Sequence, residues 1–263
     1  MQKLRAVVTY FAVIFLVYPF SPTLAGPSLA VRDQLARIVD TECLPNFRHR
    51  HSPFPCAHVN LAQDYVISQD LRGSGHYLLI AISPLLGLEN TAALAEASPR
   101  YFQNAWQHRN LVAATRGTPI DDRDVGILIN PKAMRSQDRF HLHIAPLYRP
   151  FSHVLMQHAA DITGDGTTLI YEGRVFYLWK ISERTLGEIN PVTFVMQRHL
   201  KAAQDMDRTA IMLVGAGQNA LGENELYIIA TRSPLTIEGW VPDDLLDWRS
   251  APIAIGHKQA AGA

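Results

Sequence analysis

Hydrophobic and polar side chains alternate over residues 137–145. Successive side chains of a β-strand point to opposite faces, so this period of two predicts a strand with one apolar face. That face would carry Phe140, Leu142 and Ile144. The other face would carry Arg139, His141 and His143. Because a solvated strand face more often carries Thr, Ser, Lys or Glu, two imidazoles beside a guanidinium indicate a chemical role.

The same periodicities predict the other elements of the first half. Helical spacing covers residues 28–41, and a second helix begins at Ser98-Pro99, a good N-cap followed by a good first helical residue, and ends at Gly117. Buried strands are predicted at residues 65–68, 76–82 and 125–129, the last ending before Asn130. The mixture of helices and strands predicts the α+β class.

The second half of the chain repeats this order of elements. A strand at 175–182, a helix from 190 to 203 and strands at 210–214 and 225–231 follow one another. In this register Tyr227 corresponds to His141 and Ile229 to His143. The pattern predicts an internal duplication whose second copy lacks the imidazoles, and the alternative is two α+β units that look alike by accident. The predicted halves are 26–150 and 151–250, followed by a tail at 251–263.

The first 25 residues have the pattern of an export signal. Lys3 and Arg5 precede an almost uncharged apolar run at residues 6–20, which is short for a membrane-spanning helix of roughly 20 residues. Small residues up to Ala25 suit cleavage there, and retention as a membrane anchor is the alternative. Since no second long apolar run follows, the rest of the chain is expected on the outer side of the membrane.

Composition and cysteine content narrow the function classes. A chain of 263 residues with 48% hydrophobic and 18% charged side chains is globular. Its 24 basic and 24 acidic residues balance, so nothing predicts a nucleic-acid partner, and any anion site must be local. Cys43 and Cys56 are the only cysteines, and in an exported protein they predict a disulfide. A redox or metal role is less favoured, because no Cys-x-x-Cys is present.

Several stretches together resemble a known family. The His-x-His strand, preceded by a strand that ends in Asn, resembles the histidine-triad (HIT-like) superfamily of nucleotide hydrolases and nucleotidyl transferases. Within it, the chain is most similar to the CDP-diacylglycerol pyrophosphatase family. The similar stretches are residues 42–46, 55–57, 77–80, 105–109 and 137–144. The resemblance implies two tandem HIT-like halves that hydrolyse CDP-diacylglycerol to CMP and phosphatidate at the periplasmic side of the inner membrane.

The resemblance also implies roles for single residues. His141 matches the nucleophile, and His143 matches the partner that assists the phosphate oxygens or the leaving group. Asn130 and Gln137 match positions near the diphosphate. The first triad position, normally His, is Arg139 here, and a permanently charged guanidinium can hold phosphate but cannot share a proton. No cofactor, no metal and no obligate protein partner are expected.

Two alternatives from other classes stay open besides another HIT-like nucleotide hydrolase or transferase. The His-x-His pair, with His58, His76 or His108, could form a metal site in a periplasmic binding protein. The chain could also bind a lipid or nucleotide without turnover. Metal content and the effect of substituting His141 would separate these hypotheses.

Overall fold

A single antiparallel sheet organises the chain. In the computed structural model the described residues are 32–70, 75–90, 100–199, 204–233 and 241–248. Nine strands within them are β1 His58–Asn60, β2 Tyr65–Gln69, β3 Tyr77–Ala81, β4 Val125–Ile129, β5 His141–Pro146, β6 Thr167–Tyr171, β7 Arg174–Ser182, β8 Thr209–Gln218 and β9 Asn224–Arg232. Their spatial order is β1-β2-β3-β5-β4-β8-β9-β7-β6. The predicted α+β class is confirmed.

Short helices cover both faces of the sheet. They are α1 Gln34–Arg37, a π-helical segment Ile38–Cys43, α2 Leu44–Arg50, α3 Tyr101–Gln107, α4 Asn110–Arg116, α5 Arg149–Gln157, α6 Glu183–Leu186 and α7 Pro191–Arg198. Three 3-10 turns add Asp122–Asp124, Met206–Arg208 and Pro242–Leu245. The helices are short, so packing against the sheet rather than intrinsic propensity stabilises them.

The alternation of strand side chains builds a separate core on each face. On one face, Trp106 and Val112 from α3 and α4 pack with Leu142 and Ile144 of β5. The opposite face, here called the histidine face, bears His141 and His143. The π-helical segment and α2 cover this face over β1 to β3, and α5 covers it over β8 and β9. Strand β5 lies near the middle, between the two covers.

The structure corrects the predicted start of the histidine strand. β5 begins at His141, so the prediction that Arg139 lies on this strand with the two histidines is wrong. The reason is local: the Phe140 N–H donates to the Leu85 carbonyl, 2.8 Å away, which is not part of a neighbouring strand. Arg139 therefore lies in the connection ahead of β5.

Other boundaries also differ from the sequence pattern. The predicted long helix is interrupted at residues 108–109, where tight turns such as Leu111 N–H to the His108 carbonyl, 3.0 Å, replace the α-helical bonds. It ends, as predicted, at Gly117, whose φ of 67° lies in the left-handed region that glycine adopts easily. The sequence pattern does not reveal strand β1, because its three residues are too few to show a period.

The predicted disulfide is present. Cys43, at the end of the π-helical segment, is bonded to Cys56, which precedes β1. Both cysteines are buried with Val66, Leu78 and Ile80 on the histidine face. The bond therefore fastens the N-terminal helices to the edge of the sheet.

The predicted export signal at 1–25 and the tail at 251–263 lie outside the described residues. Among the helices of the described ranges, none combines the length and the hydrophobicity that crossing a bilayer requires.

Candidate active site

His141 and His143 lie together on a central strand. β5 is hydrogen-bonded to β3 on one side and to β4 on the other, which fixes the direction of its side chains. The two imidazoles project from the histidine face with their ring centroids 5.1 Å apart. Their residues are only 7% and 3% exposed. A positive charge on either of two adjacent imidazoles would repel a second one on its neighbour.

The surroundings of His141 fix its tautomer. Its Nδ1 lies 2.7 Å from the carbonyl oxygen of Arg139. A carbonyl can only accept, so Nδ1 carries the hydrogen and Nε2 keeps its lone pair. Burial first, and then the neighbouring His143, lower the pKa of His141 to about 4. At neutral pH this imidazole is therefore uncharged, with a lone pair on Nε2.

Asn130 and Asp243 complete the polar group around His143. Asn130 follows β4, and its Nδ2 donates to Oδ1 of Asp243 at 2.5 Å. The same Nδ2 lies 3.4 Å from Nε2 of His143. Oδ1 of Asp243 lies 3.8 Å from that Nε2. One carboxylate oxygen, one amide and one imidazole edge therefore converge at this end of the site.

Asp243 reaches the site on residues 241–248, here called the C-terminal strap. The strap is fixed by backbone bonds from Tyr148 N–H to the Leu245 carbonyl, 2.7 Å, and from Asp247 N–H to the Pro146 carbonyl, 2.8 Å. Trp248 lies over the imidazoles, with ring centroids 4.1 Å from His76 and 5.8 Å from His143.

The sequence pattern did not point to these residues. Asp243 follows Asn130 by 113 positions in the chain, and no motif or period marks it. For His76, the sequence suggests only a possible metal ligand. A proline-containing stretch with two adjacent acidic residues, as at 242–244, is a common turn signal, so nothing in it indicates a site.

Arg139 and Gln137 make contacts within the protein. Nη1 of Arg139 donates to the Ile82 carbonyl at 2.5 Å, and Nη2 donates to Asp40 at 2.6 Å. Oε1 of Gln137 accepts from the backbone N–H of Leu35 at 3.0 Å. Both side chains thus fasten the connection ahead of β5, whereas Asn130, His141 and His143 share one site.

A buried ion pair supports the same connection. Arg135 forms two hydrogen bonds to Glu89, of 2.7 and 2.6 Å. After the opposing effect of burial, these hydrogen bonds are the main reason that the pKa of Glu89 lies below its usual value. The carbonyl that fixes the tautomer of His141 therefore belongs to a well-fastened segment.

The described histidines outside β5 do not join this pair to form a metal-binding group. His58 and His108 lie beside one another, with ring centroids 5.0 Å apart, and His108 contacts the hydroxyl of Tyr65 at 3.0 Å. In the ranges that the structure describes, no three side chains of His, Cys, Asp or Glu are grouped so as to hold a metal ion.

Comparison with known proteins gives this site a family. The sequence model of the family described as CDP-diacylglycerol pyrophosphatase matches residues 30–250. A protein of Yersinia pestis named CDP-diacylglycerol pyrophosphatase is 30% identical over 205 residues, which cover 77% of this chain and 78% of that protein. The matched region contains the described strands and the strap. The chain therefore belongs to the CDP-diacylglycerol pyrophosphatase family, as its resemblance implied.

Proposed function

We propose that this chain hydrolyses the diphosphate of CDP-diacylglycerol to CMP and phosphatidate through a nucleotidyl intermediate on His141. Membership of the family gives the substrate and the reaction. The observation that supports the mechanism is the state of His141: Nδ1 is bonded to a carbonyl and the pKa is lowered to about 4. An imidazole in this state has the lone pair that attack on phosphorus needs.

In the first step, Nε2 of His141 attacks the phosphorus that bears cytidine. A nitrogen–phosphorus bond forms, and the bond between this phosphorus and the bridging oxygen breaks. The bridging oxygen leaves with its electron pair as part of phosphatidate. A proton on His143 would neutralise that oxygen, because His143 lies on the same face two residues further along β5.

In the second step, water attacks the phosphorus of the CMP–His141 adduct. The nitrogen–phosphorus bond breaks, CMP leaves, and Nε2 of His141 regains its lone pair. Neutral His143 would take the proton from this water, so the site returns to its first state. In both steps the protons and electron pairs are accounted for by imidazoles alone. His141 acts as the nucleophile, and His143 acts as the acid and then as the base.

The residues predicted to bind the diphosphate divide into two groups. Asn130 contacts the imidazole edge, so we assign its amide to a phosphate oxygen. A role of Arg139 and Gln137 in binding the diphosphate stays a prediction. Their present contacts with Asp40, the Ile82 carbonyl and Leu35 favour a supporting role, in which they hold the connection that carries the Arg139 carbonyl.

We also propose that residues 26–150 and 151–250 are two HIT-like halves. The sheet order supports this: β2-β3-β5-β4 on one side is mirrored by β8-β9-β7-β6 on the other, with β4 and β8 paired at the centre. Ile127 of β4 is paired with Leu213 of β8. The number of residues between them equals the number between His141 and Tyr227, as expected if these are corresponding positions of two repeats. The second half then replaces the reactive imidazole by a phenol.

For the location, we propose export through residues 1–25 and action at the periplasmic side of the inner membrane. The disulfide supports an oxidising compartment. Near it, α2 ends in exposed Arg48 and Arg50, which form no ion pair within the described part of the chain, and Phe54 is 72% exposed. Basic and aromatic side chains of this kind suit a surface with anionic lipids.

The activity can be tested with the full-length protein in detergent micelles that contain CDP-diacylglycerol and EDTA. We expect release of CMP, and we expect His141→Ala to reduce it by at least about 10³-fold, since the nucleophile is removed. Tyr227→Phe, at the corresponding position of the second half, is the matched control and should keep activity. Release of CMP only after a divalent metal is added would contradict the mechanism.

A further inference from the structure

The C-terminal strap brings a carboxylate to an imidazole that otherwise has no ionic partner. Within the described residues, the salt-bridge distance of His143 is to Asp243 alone, 3.8 Å from Nε2 to Oδ1. The strap belongs to neither strand that carries the predicted site. Asp243 thus places a carboxylate beside a buried imidazole from a segment outside β4 and β5. This position suggests that the side chain does more than pack against its neighbours.

We propose that Asp243 is a positioning residue, which stabilises the protonated form of His143 and orients the amide of Asn130 for departure of phosphatidate. The proposal rests on the proposed function of His141 and His143. It adds a residue that the sequence pattern did not identify.

The amide of Asn130 shows the first part of this role. Its Nδ2 donates to Asp243 at 2.5 Å, and its Oδ1 is buried without a hydrogen-bond partner in the described structure. The reversed amide would place this oxygen against a carboxylate oxygen, which is repulsive. Asp243 therefore fixes the orientation of the Asn130 side chain, with its NH2 group rather than its oxygen beside His143. In this orientation the NH2 group can donate a hydrogen bond to a phosphate oxygen.

The distance to His143 shows the second part. At 3.8 Å, the carboxylate is too far from Nε2 for a hydrogen bond but close enough to favour a positive charge there. A proton on Nε2 would therefore stay available to the bridging oxygen. A protonated Nε2 cannot accept from Asn130 Nδ2, 3.4 Å away, so the hydrogen of Nδ2 that does not bond to Asp243 then donates to a phosphate oxygen. In this step the proton moves from Nε2 to the oxygen of phosphatidate, and Asp243 stays ionised throughout.

Of the other carboxylates nearby, Asp70 and Asp247 act on His76, and within the described residues Asp243 alone lies at ion-pair distance from His143. His141 and His76 both have lowered pKa values, mainly because of burial, so they are neutral neighbours at neutral pH. Arg135 is a cation whose charge acts on His141 in the opposite sense to that of Asp243. Asp243 is thus the group that can balance an imidazolium at this position.

The strap holds the carboxylate in place from both sides. Leu245 and Leu246 are buried in the core of the histidine face. Trp248 Nε1 donates to the carbonyl of Asp243 itself, 2.6 Å away, and Nε2 of His76 lies 2.8 Å from the carbonyl of Asp247. Nε2 of His76 donates to this carbonyl, and burial lowers the pKa of the ring, so His76 is a neutral anchor for the strap rather than a second acid.

The matched pair Asp243→Asn and Asp244→Asn tests the proposal. Both substitutions remove one negative charge from the same turn, but Asp244 accepts from the Val241 N–H, 3.0 Å away at the start of the strap. The readouts are the pH dependence of CMP release in micelles and the ring 15N shifts of histidines followed through a pH titration of the full-length protein.

For Asp243→Asn we expect kcat to fall by about 10- to 100-fold, less than the roughly 10²- to 10⁴-fold that an acid–base group itself contributes, because His143 stays in place. The alkaline limb of the rate profile and the NMR titration of His143 should both move to lower pH by about 1 unit, because an opposite charge is removed. Asp244→Asn should behave like the wild type in both readouts.

Two results would overturn the proposal. One is an Asp243→Asn protein whose His143 titrates as in the wild type, whatever its activity, because a structural role alone would lower kcat without moving the titration. The other is an equal shift in Asp244→Asn, which would mean a general effect of charge. Absence of CMP release from the wild type would instead contradict the proposed function, whereas the NMR titration still tests the link between Asp243 and His143.

Discussion

Replacing Arg139 by Met separates a supporting role from a substrate-binding role. Methionine keeps most of the apolar stem and removes the guanidinium. In the structure this group donates to the Ile82 carbonyl at 2.5 Å, lies 3.3 and 3.4 Å from the Ala81 and Ser83 carbonyls, and is paired with Asp40. We therefore expect Arg139→Met to destabilise the fold.

The magnitude follows from these contacts. A hydrogen bond to a charged group contributes about 1.5–3 kcal/mol, and Ile82 accepts the one short bond to a carbonyl. The Asp40 side chain is 49% exposed, so its carboxylate returns to water and the ion pair itself adds little. We expect a loss of about 2–3 kcal/mol. For a folded unit of this size, that corresponds to a Tm lower by about 4–12 °C.

Thermal unfolding followed by circular dichroism, together with kcat/KM for CMP release, would check this prediction. Asp40→Asn is the control: it keeps an acceptor for the guanidinium and should cost less than about 1 kcal/mol. A supporting role for Arg139 would be excluded if Arg139→Met unfolded at the wild-type temperature while kcat/KM fell a hundredfold or more. That result would place the guanidinium on the substrate.

Three further predictions concern other parts of the molecule. Replacing Cys43 and Cys56 together by Ala should lower the free energy of unfolding by about 3 kcal/mol in urea titrations, because a 13-residue separation is no longer closed in the unfolded chain. Gly215→Ala should destabilise the sheet and lower Tm, since a Cβ there would lie 2.5 Å from the backbone carbonyl of Asp122. The pKa of His141 is lowered to about 4, against about 6.5 in an unfolded chain. The unfolded state thus binds more protons between these values, so stability should rise with pH from about 4 to 6.5, and His141→Gln should reduce that rise in unfolding titrations.

The grouping of Asn130 with the two histidines could be predicted because its signals are local. The alternation around His141 marks one strand, and Asn130 directly follows the preceding buried strand, so short stretches of sequence sufficed to bring Asn130 and His143 together. The disulfide could also be predicted, because the chain has only two cysteines and begins with the pattern of an export signal.

The remaining features depend on distant contacts. Arg139 fits the alternation, yet the chain leaves the sheet at this point because Phe140 bonds to Leu85 and the guanidinium bonds to a neighbouring loop. Asp243 and Trp248 reach the imidazoles only because the strap folds back over β5. No periodicity encodes such a contact, since it depends on the tertiary fold rather than on neighbouring residues.

Formation of a covalent bond between His141 and CMP can be tested by rapid quench. The full-length protein is mixed with CDP-diacylglycerol labelled in its cytidine, stopped with alkali within the first turnover, digested and mapped. We predict label on the peptide that contains His141, released by acid as expected for a nitrogen–phosphorus bond, and absent from His141→Ala. Formation of CMP in the first turnover with no label on the protein at any time would contradict the account, because water would then attack the diphosphate directly.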